Sequence, residues 1–460
     1  MILCLFCGCF LMMSKLIFGA LVALIVFAAI PYGTVEPWWK AAFVCAVFVI
    51  CIVGLVESLF KEITLPSILL PMLALSALAY LQTLSLGART EAGVSVWNTI
   101  SADPYQTRFF ALQILALTAF LALLYRYAAS ERRIRVLVYT ILAVAALSAV
   151  FGILRHSTQQ HVGFVLPLLK QNQGYGQFIN KNHFAYLMEM AFGLGLGIIL
   201  AGGVSRDRLM IYVALLLPIW TGLVLANSRG GILSMLTQIV LAVLLLISFR
   251  GLAADYQVPK LAESVVFKSV LLVVLVAGVL FGTFWVGGDR LATNFEAATT
   301  EIGSSTREGA SRNEIWRATL KMFAAHPILG VGLGGYWIGI TAYHEASGLM
   351  TPQEAHNDYL ELLSSGGVIG FALVVWFAVA VIRRAHQNLA GDFGYLRAVR
   401  FGAILGIAGV AAHSLVDFGL HILVNAAVFL TLIMFATTRS EARTVEPKPA
   451  TKTRKKEIGA

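Results

Sequence analysis

Twelve strongly apolar segments occupy most of the chain, and one long polar stretch, from about Gly287 to Asn357, interrupts them. Charge-free runs such as Leu16–Val35, Phe109–Tyr125 and Leu362–Ile382 are long enough to cross a hydrocarbon core of about 30 Å. Backbone groups in lipid must pair within their own segment, so helices are the natural spanning form. The alternating ten-residue pattern of a membrane β-barrel is not seen. The predicted spans are 16–33, 40–56, 64–83, 108–125, 136–154, 183–202, 209–226, 231–249, 269–286, 359–382, 401–417 and 419–437. The expected fold class is an all-α polytopic membrane protein with about twelve transmembrane helices. Residues 1–438 are expected to form one domain, and 439–460 a basic, disordered cytoplasmic tail.

An even number of spans places both ends on one side, and charge selects that side. With the termini inside, the inner segments hold 22 of the 34 Lys and Arg residues. The net charge of +10 is therefore mainly a topology signal, with the tail placed to meet anionic lipid heads. No folded basic domain accompanies it, so no nucleic-acid partner is expected. The composition, 58% hydrophobic and 13% charged, leaves little soluble material, so chemistry is expected where polar residues gather at the outer surface. Of the five cysteines, Cys4, Cys7 and Cys9 lie in an apolar leader before the first span and Cys45 and Cys51 in the second span, which leaves the outer loops without a disulfide framework. Met12 and Met13 are alternative starts.

Within the long loop, Ser311-x-x-Glu314 reads as a capping box opening an amphipathic helix to about Ala325. Its apolar face would be Ile315, Trp316, Thr319, Leu320 and Phe323. His326-Pro327 would end it, and Gly330, Gly332 and Gly334 would form a flexible turn. No strand precedes these glycines, so they are not a dinucleotide fingerprint.

Five polar clusters carry candidate chemistry. Asn227-Ser228-Arg229-Gly230-Gly231 sets an arginine at an outer helix end, against the positive-inside bias. It is either a snorkelling residue or a phosphate-binding fork. Arg312 sits at a helix N-terminus, where unpaired N–H groups attract anions; Arg307 and Arg317 are nearby rivals. His356, where the loop rejoins the membrane beside Asn357 and Tyr359, is a proton acceptor or a helix-end structural histidine. Asn180, Asn182 and His183 open the sixth span and either line a substrate groove or cap the helix. His413 and Asp417, one turn apart, read as a structural His–Asp hydrogen bond or a functional pair. No metal site is expected, since no second ligand lies at metal-binding spacing from His356.

Asn227-Ser228-Arg229-Gly230-Gly231, Ser311-Arg312-x-x-x-Trp316, His326-Pro327-x-x-Gly330-x-Gly332-x-Gly334 and Ala355-His356-Asn357-Asp358-Tyr359-Leu360 together resemble the O-antigen ligase and polymerase family. Pro31-Tyr32-Gly33 and Asn180-Lys181-Asn182-His183 look like the same family. The resemblance implies a glycosyltransferase C-like helical bundle with one long periplasmic loop in the bacterial inner membrane. It implies transfer of a glycan from a polyprenyl-pyrophosphate carrier to an acceptor hydroxyl, on lipid A core or another glycan, by an inverting reaction without metal or other cofactor. By motif, Arg229 and Arg312 would hold the pyrophosphate and His356 would act at the acceptor hydroxyl. Asn227, Ser228, Asn180, Asn182, His183, Arg317, Asn357 and Tyr359 are the candidate substrate-binding residues. A repeat-unit polymerase would share these motifs. The reading from another class is a twelve-helix secondary transporter, which would show repeat symmetry and mid-membrane ionisable residues.

Overall fold

Apolar runs become helices wherever the chain is described, in a computed structural model covering residues 2–58, 66–91, 94–158, 169, 174–248, 277, 312–344, 351–391 and 394–438. The helices are α1 (Ile2–Ala29), α2 (Pro37–Ser58), α3 (Leu70–Leu81), α4 (Pro104–Tyr127), α5 (Glu131–Thr158), α6 (Lys181–Leu200), α7 (Arg206–Leu225) and α8 (Arg229–Ser248). They continue with α9 (Arg312–Ala325), the short α10 (Tyr336–Gly339), α11 (Asp358–Gly391), α12 (Gly394–His413) and α13 (Leu423–Thr437). Among the described residues, nine helices are long and apolar enough to cross a membrane, and two shorter apolar helices cover 67–81 and 423–437. These match eleven of the segments read from the sequence. The predicted span 269–286, most of the loop before Arg312, Ser311 and the tail after Thr438 lie outside the described residues.

One element departs from the all-helical expectation. The connection after α3 contains an antiparallel hairpin, β1 (Ser85–Glu91) and β2 (Val94–Thr99), pairing Ser85 with Thr99 and Glu91 with Val94. The β-branched alternation in Val94-Ser95-Val96 is its sequence signal. Six or seven residues per strand is too short to register against helix-length apolar runs.

The bundle closes around α6. Gly193 and Gly197 of α6 lie against Gly406 and Gly402 of α12: a Cβ on Gly197 would stand 2.3 Å from the Gly402 Cα, and one on Gly193 2.8 Å from the Gly406 nitrogen. Small residues at four-residue spacing let the two backbones meet, the usual way membrane helices gain contact without a hydrophobic drive between them. This approach brings the end of α12 against α6 and against the start of α8.

The long loop is built differently from its sequence reading. α9 buries Ile315, Ala318, Thr319 and Met322, while Leu320 is exposed. The buried stripe is thus rotated from the expected face, because α9 packs on Val331, Tyr336, Ile340 and Ala355 of its own loop. The glycines after it are pinned rather than flexible. Gly332 donates its N–H to Ser365 C=O at 3.0 Å, and a Cβ on Gly330 (φ 66°) would lie 2.3 Å from the same oxygen. They seat against α11 where Gly367 (φ 63°) interrupts its helical course. Gln82 ties the junction together, donating to Leu329 C=O and accepting from the Leu333 N–H.

Candidate active site

α6, α8, α9 and α11 begin, and α12 ends, at one end of the bundle. Between these termini lies a recess, open on one side, lined by Lys181, Asn182, Asn227, Arg229, Gly230, Arg312, His413, Val416 and Asp417. Arg229 and Arg312, far apart in the chain, are each the first residue of a helix, and both line it. Ser228 caps α8 by accepting the Gly231 N–H on its Oγ at 3.2 Å. Asn227 adopts a left-handed backbone (φ 50°), and its carbonyl accepts from Lys181 Nζ at 3.0 Å. An exposed arginine at a helix N-terminus, with two further cations nearby, makes an anion-binding environment.

Asp417 links this recess to His356. One carboxylate oxygen accepts from Asn182 Nδ2, and the other lies 3.6 Å from His356 Nδ1. Burial pushes the Asp417 carboxyl up, but His356, then His183 and His413, outweigh it and hold the group below its ordinary range. His356 therefore has a carboxylate at ion-pair distance from Nδ1. His356 is not itself among the lining residues; it sits one carboxylate away, about one-third exposed, with its ring edge-on to Phe418.

His356 has a left-handed backbone (φ 51°), uncommon for a bulky residue and held only where surroundings enforce it. The enforcement comes from both sides. Trp316 Nε1 of α9 donates to Ala355 C=O at 3.0 Å, and the Ala355 N–H donates to Glu361 Oε2 at 2.8 Å. After His356, Asn357 Oδ1 caps α11 by accepting the Tyr359 and Leu360 N–H groups, while its Nδ2 donates to Leu415 C=O. Tyr359 Oη donates to Ala411 C=O and Ser414 Oγ to Asp358. The Asn-Asp-Tyr motif is thus a clamp fastening the start of α11 to the end of α12.

The remaining candidates divide. Asn182 lines the recess; Asn180 caps α6 by accepting the Asn182 N–H. His183 is buried against Phe418, and Arg317 is exposed on α9 away from the lining. His413 pairs not with Asp417 but with Glu189 of α6, at 2.8 Å from Nδ1, because the glycine contact of α6 with α12 sets those two side chains face to face. A single acid inside an apolar span was the signal for Glu189. A second group sets His421 against Glu354, Asp358 and Glu361 at 3.5–3.7 Å, and it joins two segments, 354–361 and 421, that are sixty residues apart in the chain. Possible ligand atoms of Glu354, Glu361 and His421 fall within 4.8 Å of one another, so one imidazole and two carboxylates could hold a cation. His421 already meets those carboxylates with its own charge. Burial would lower its pKa, but Glu361, Glu354 and Asp358 raise it to about 10.

Residues 212–375 match the family model described as O-antigen ligase. The stretch runs from within α7 to within α11 and contains Arg229, Arg312 and His356; Asn182 and Asp417 come from outside it. No curated protein matches the chain. The match takes in Asn227–Gly231, His326–Gly334 and Ala355–Leu360, the motifs on which the sequence resembles the O-antigen ligase and polymerase family.

Proposed function

We propose that the protein moves an oligo- or polysaccharide from a polyprenyl-pyrophosphate carrier to an acceptor hydroxyl, lipid A core or similar, at the periplasmic face of the bacterial inner membrane. The observation that carries this reading is the convergence of Arg229 and Arg312 on one recess, with Asp417 leading from it to His356. As the glycosidic bond breaks, the pyrophosphate gains negative charge. Guanidinium groups at two helix starts, in a partly dry recess, favour that charge more in the transition state than in the ground state. On the acceptor side, His356 takes the hydroxyl proton as oxygen attacks the anomeric carbon from the face opposite the leaving group, which inverts the configuration. Asp417 accepts hydrogen bonds from its surroundings and stabilises the imidazolium that forms. No step in this scheme calls on a metal.

Purified protein in nanodiscs, given a lipid-pyrophosphate-linked oligosaccharide and candidate acceptors in the presence of EDTA, is the test. We expect transfer by wild type. Arg229→Ala and Arg312→Ala should each lose about 10²–10³ in kcat, and His356→Ala about 10²–10⁴. The acceptor that is used separates ligase from polymerase. Solute uptake into liposomes without any transfer would instead favour the transporter reading.

A further inference from the structure

His413 is fully enclosed and its ring is placed on three sides. Tyr186 stacks on one face with centroids 4.0 Å apart and 20° between planes. Nδ1 is committed to Glu189 Oε2 at 2.8 Å, and Glu189 is itself 0% exposed. Gly230 borders the opposite edge, where a Cβ would stand 2.3 Å from Nε2. That Nε2 has no hydrogen-bond partner among the described residues, yet His413 lines the same recess as Arg229 and Arg312. A carboxylate and an imidazole inside the bundle are costly to bury, and a buried ring nitrogen left unpaired adds to that cost. Such an arrangement is explained if the free nitrogen has a partner that arrives with the substrate.

The lining shows what that partner is. Lys181, Arg229 and Arg312 bring positive charge, the start of α8 presents N–H groups, and the acid present, Asp417, is engaged by Asn182 and His356. The ligand is therefore anionic and rich in acceptor oxygens. We propose that His413, held by Glu189, is a further phosphate-binding residue of the recess, its Nε2–H donating to the pyrophosphate of the donor. Glu189 fixes the ring through Nδ1, so that Nε2 keeps its direction at the recess. The inference rests on the proposed function for the identity of the anion.

Two substitutions of His413 separate this role from a structural one. Asn can reproduce Nδ1 and keep the Glu189 bond, but leaves nothing at Nε2; Gln can reproduce Nε2. Glu189→Gln replaces the acid that fixes the ring. Binding of inorganic pyrophosphate and of a prenyl pyrophosphate to purified, monodisperse protein is titrated calorimetrically, and transfer is measured alongside. A lost charge-assisted hydrogen bond corresponds to about tenfold or more in affinity. His413→Asn should therefore weaken pyrophosphate at least that much and raise the donor KM, with the acceptor KM unmoved. Glu189→Gln should weaken it in the same direction, and His413→Gln should recover most of the loss. If only the prenyl form binds, the same comparison is read on that ligand. Wild-type protein that binds neither probe, or His413→Asn that binds as wild type, overturns the inference. Absent glycan transfer by wild type would count against the proposed function, while the pyrophosphate titration would still decide the role of His413.

Discussion

Gly230 shows how one residue can be read twice. In the chain it is a turn glycine between two apolar runs; in the bundle it is the position where the His413 ring passes against α8. Asp417 is the reverse case, an acid read along the chain as the partner of His413 that in the bundle becomes the link between recess and base. His421 carries a prediction at this scale. Its pKa is raised above the ordinary histidine value, so its pairing with Glu354, Asp358 and Glu361 adds stability in full below about pH 6.5 and loses it as pH rises through about 10. Thermal unfolding in detergent should then show wild type above His421→Gln at mildly acidic pH, with the gap closing above pH 10. A gap that is constant with pH would mean His421 acts by packing alone.

At the scale of elements, α9 and the start of α11 act together. The Trp316 side chain of α9 reaches across to the Ala355 carbonyl, one residue before the strained His356 backbone. Trp316→Phe keeps most of the ring and removes only the N–H. A net hydrogen bond is worth about 0.5–1.5 kcal/mol, so the fold should survive with little change in unfolding temperature. Glycan transfer should fall by about tenfold in kcat, because a small displacement of a reacting group is expensive. Wild-type turnover from this variant would show that α9 does not position His356. The clamp from Asn357 and Tyr359 to residues 411–415 works on the same loop from the other side.

At the scale of the molecule, every residue proposed for chemistry lies where α6, α8, α9 and α11 start and α12 ends. The bias of 22 of 34 cationic residues toward the opposite segments predicts that this end faces outward. In intact spheroplasts of a strain making a cysteine-free variant, Asn313→Cys should react with a membrane-impermeant maleimide and Arg132→Cys should not. The reverse labelling would invert the topology and place the recess inside the cell.

What the chain determined alone is the helical bundle and the positions of its candidate residues. Hydropathy is set by local composition over some twenty residues, so eleven spans could be located within a few positions, and Arg229, Arg312 and His356 stand out because charge near lipid is costly and therefore informative. The hairpin at 85–99 escaped because short strands leave only a weak alternation. What tertiary structure decided is who faces whom. The rotation of α9, the pinned glycines, the pairing of His413 with Glu189 rather than Asp417, and the bridge from Asp417 to His356 all depend on close approach between segments distant in sequence. Helical periodicity gives each side chain a direction around its own axis, but only the glycine-lined contact of α6 with α12 sets the distance at which those directions meet.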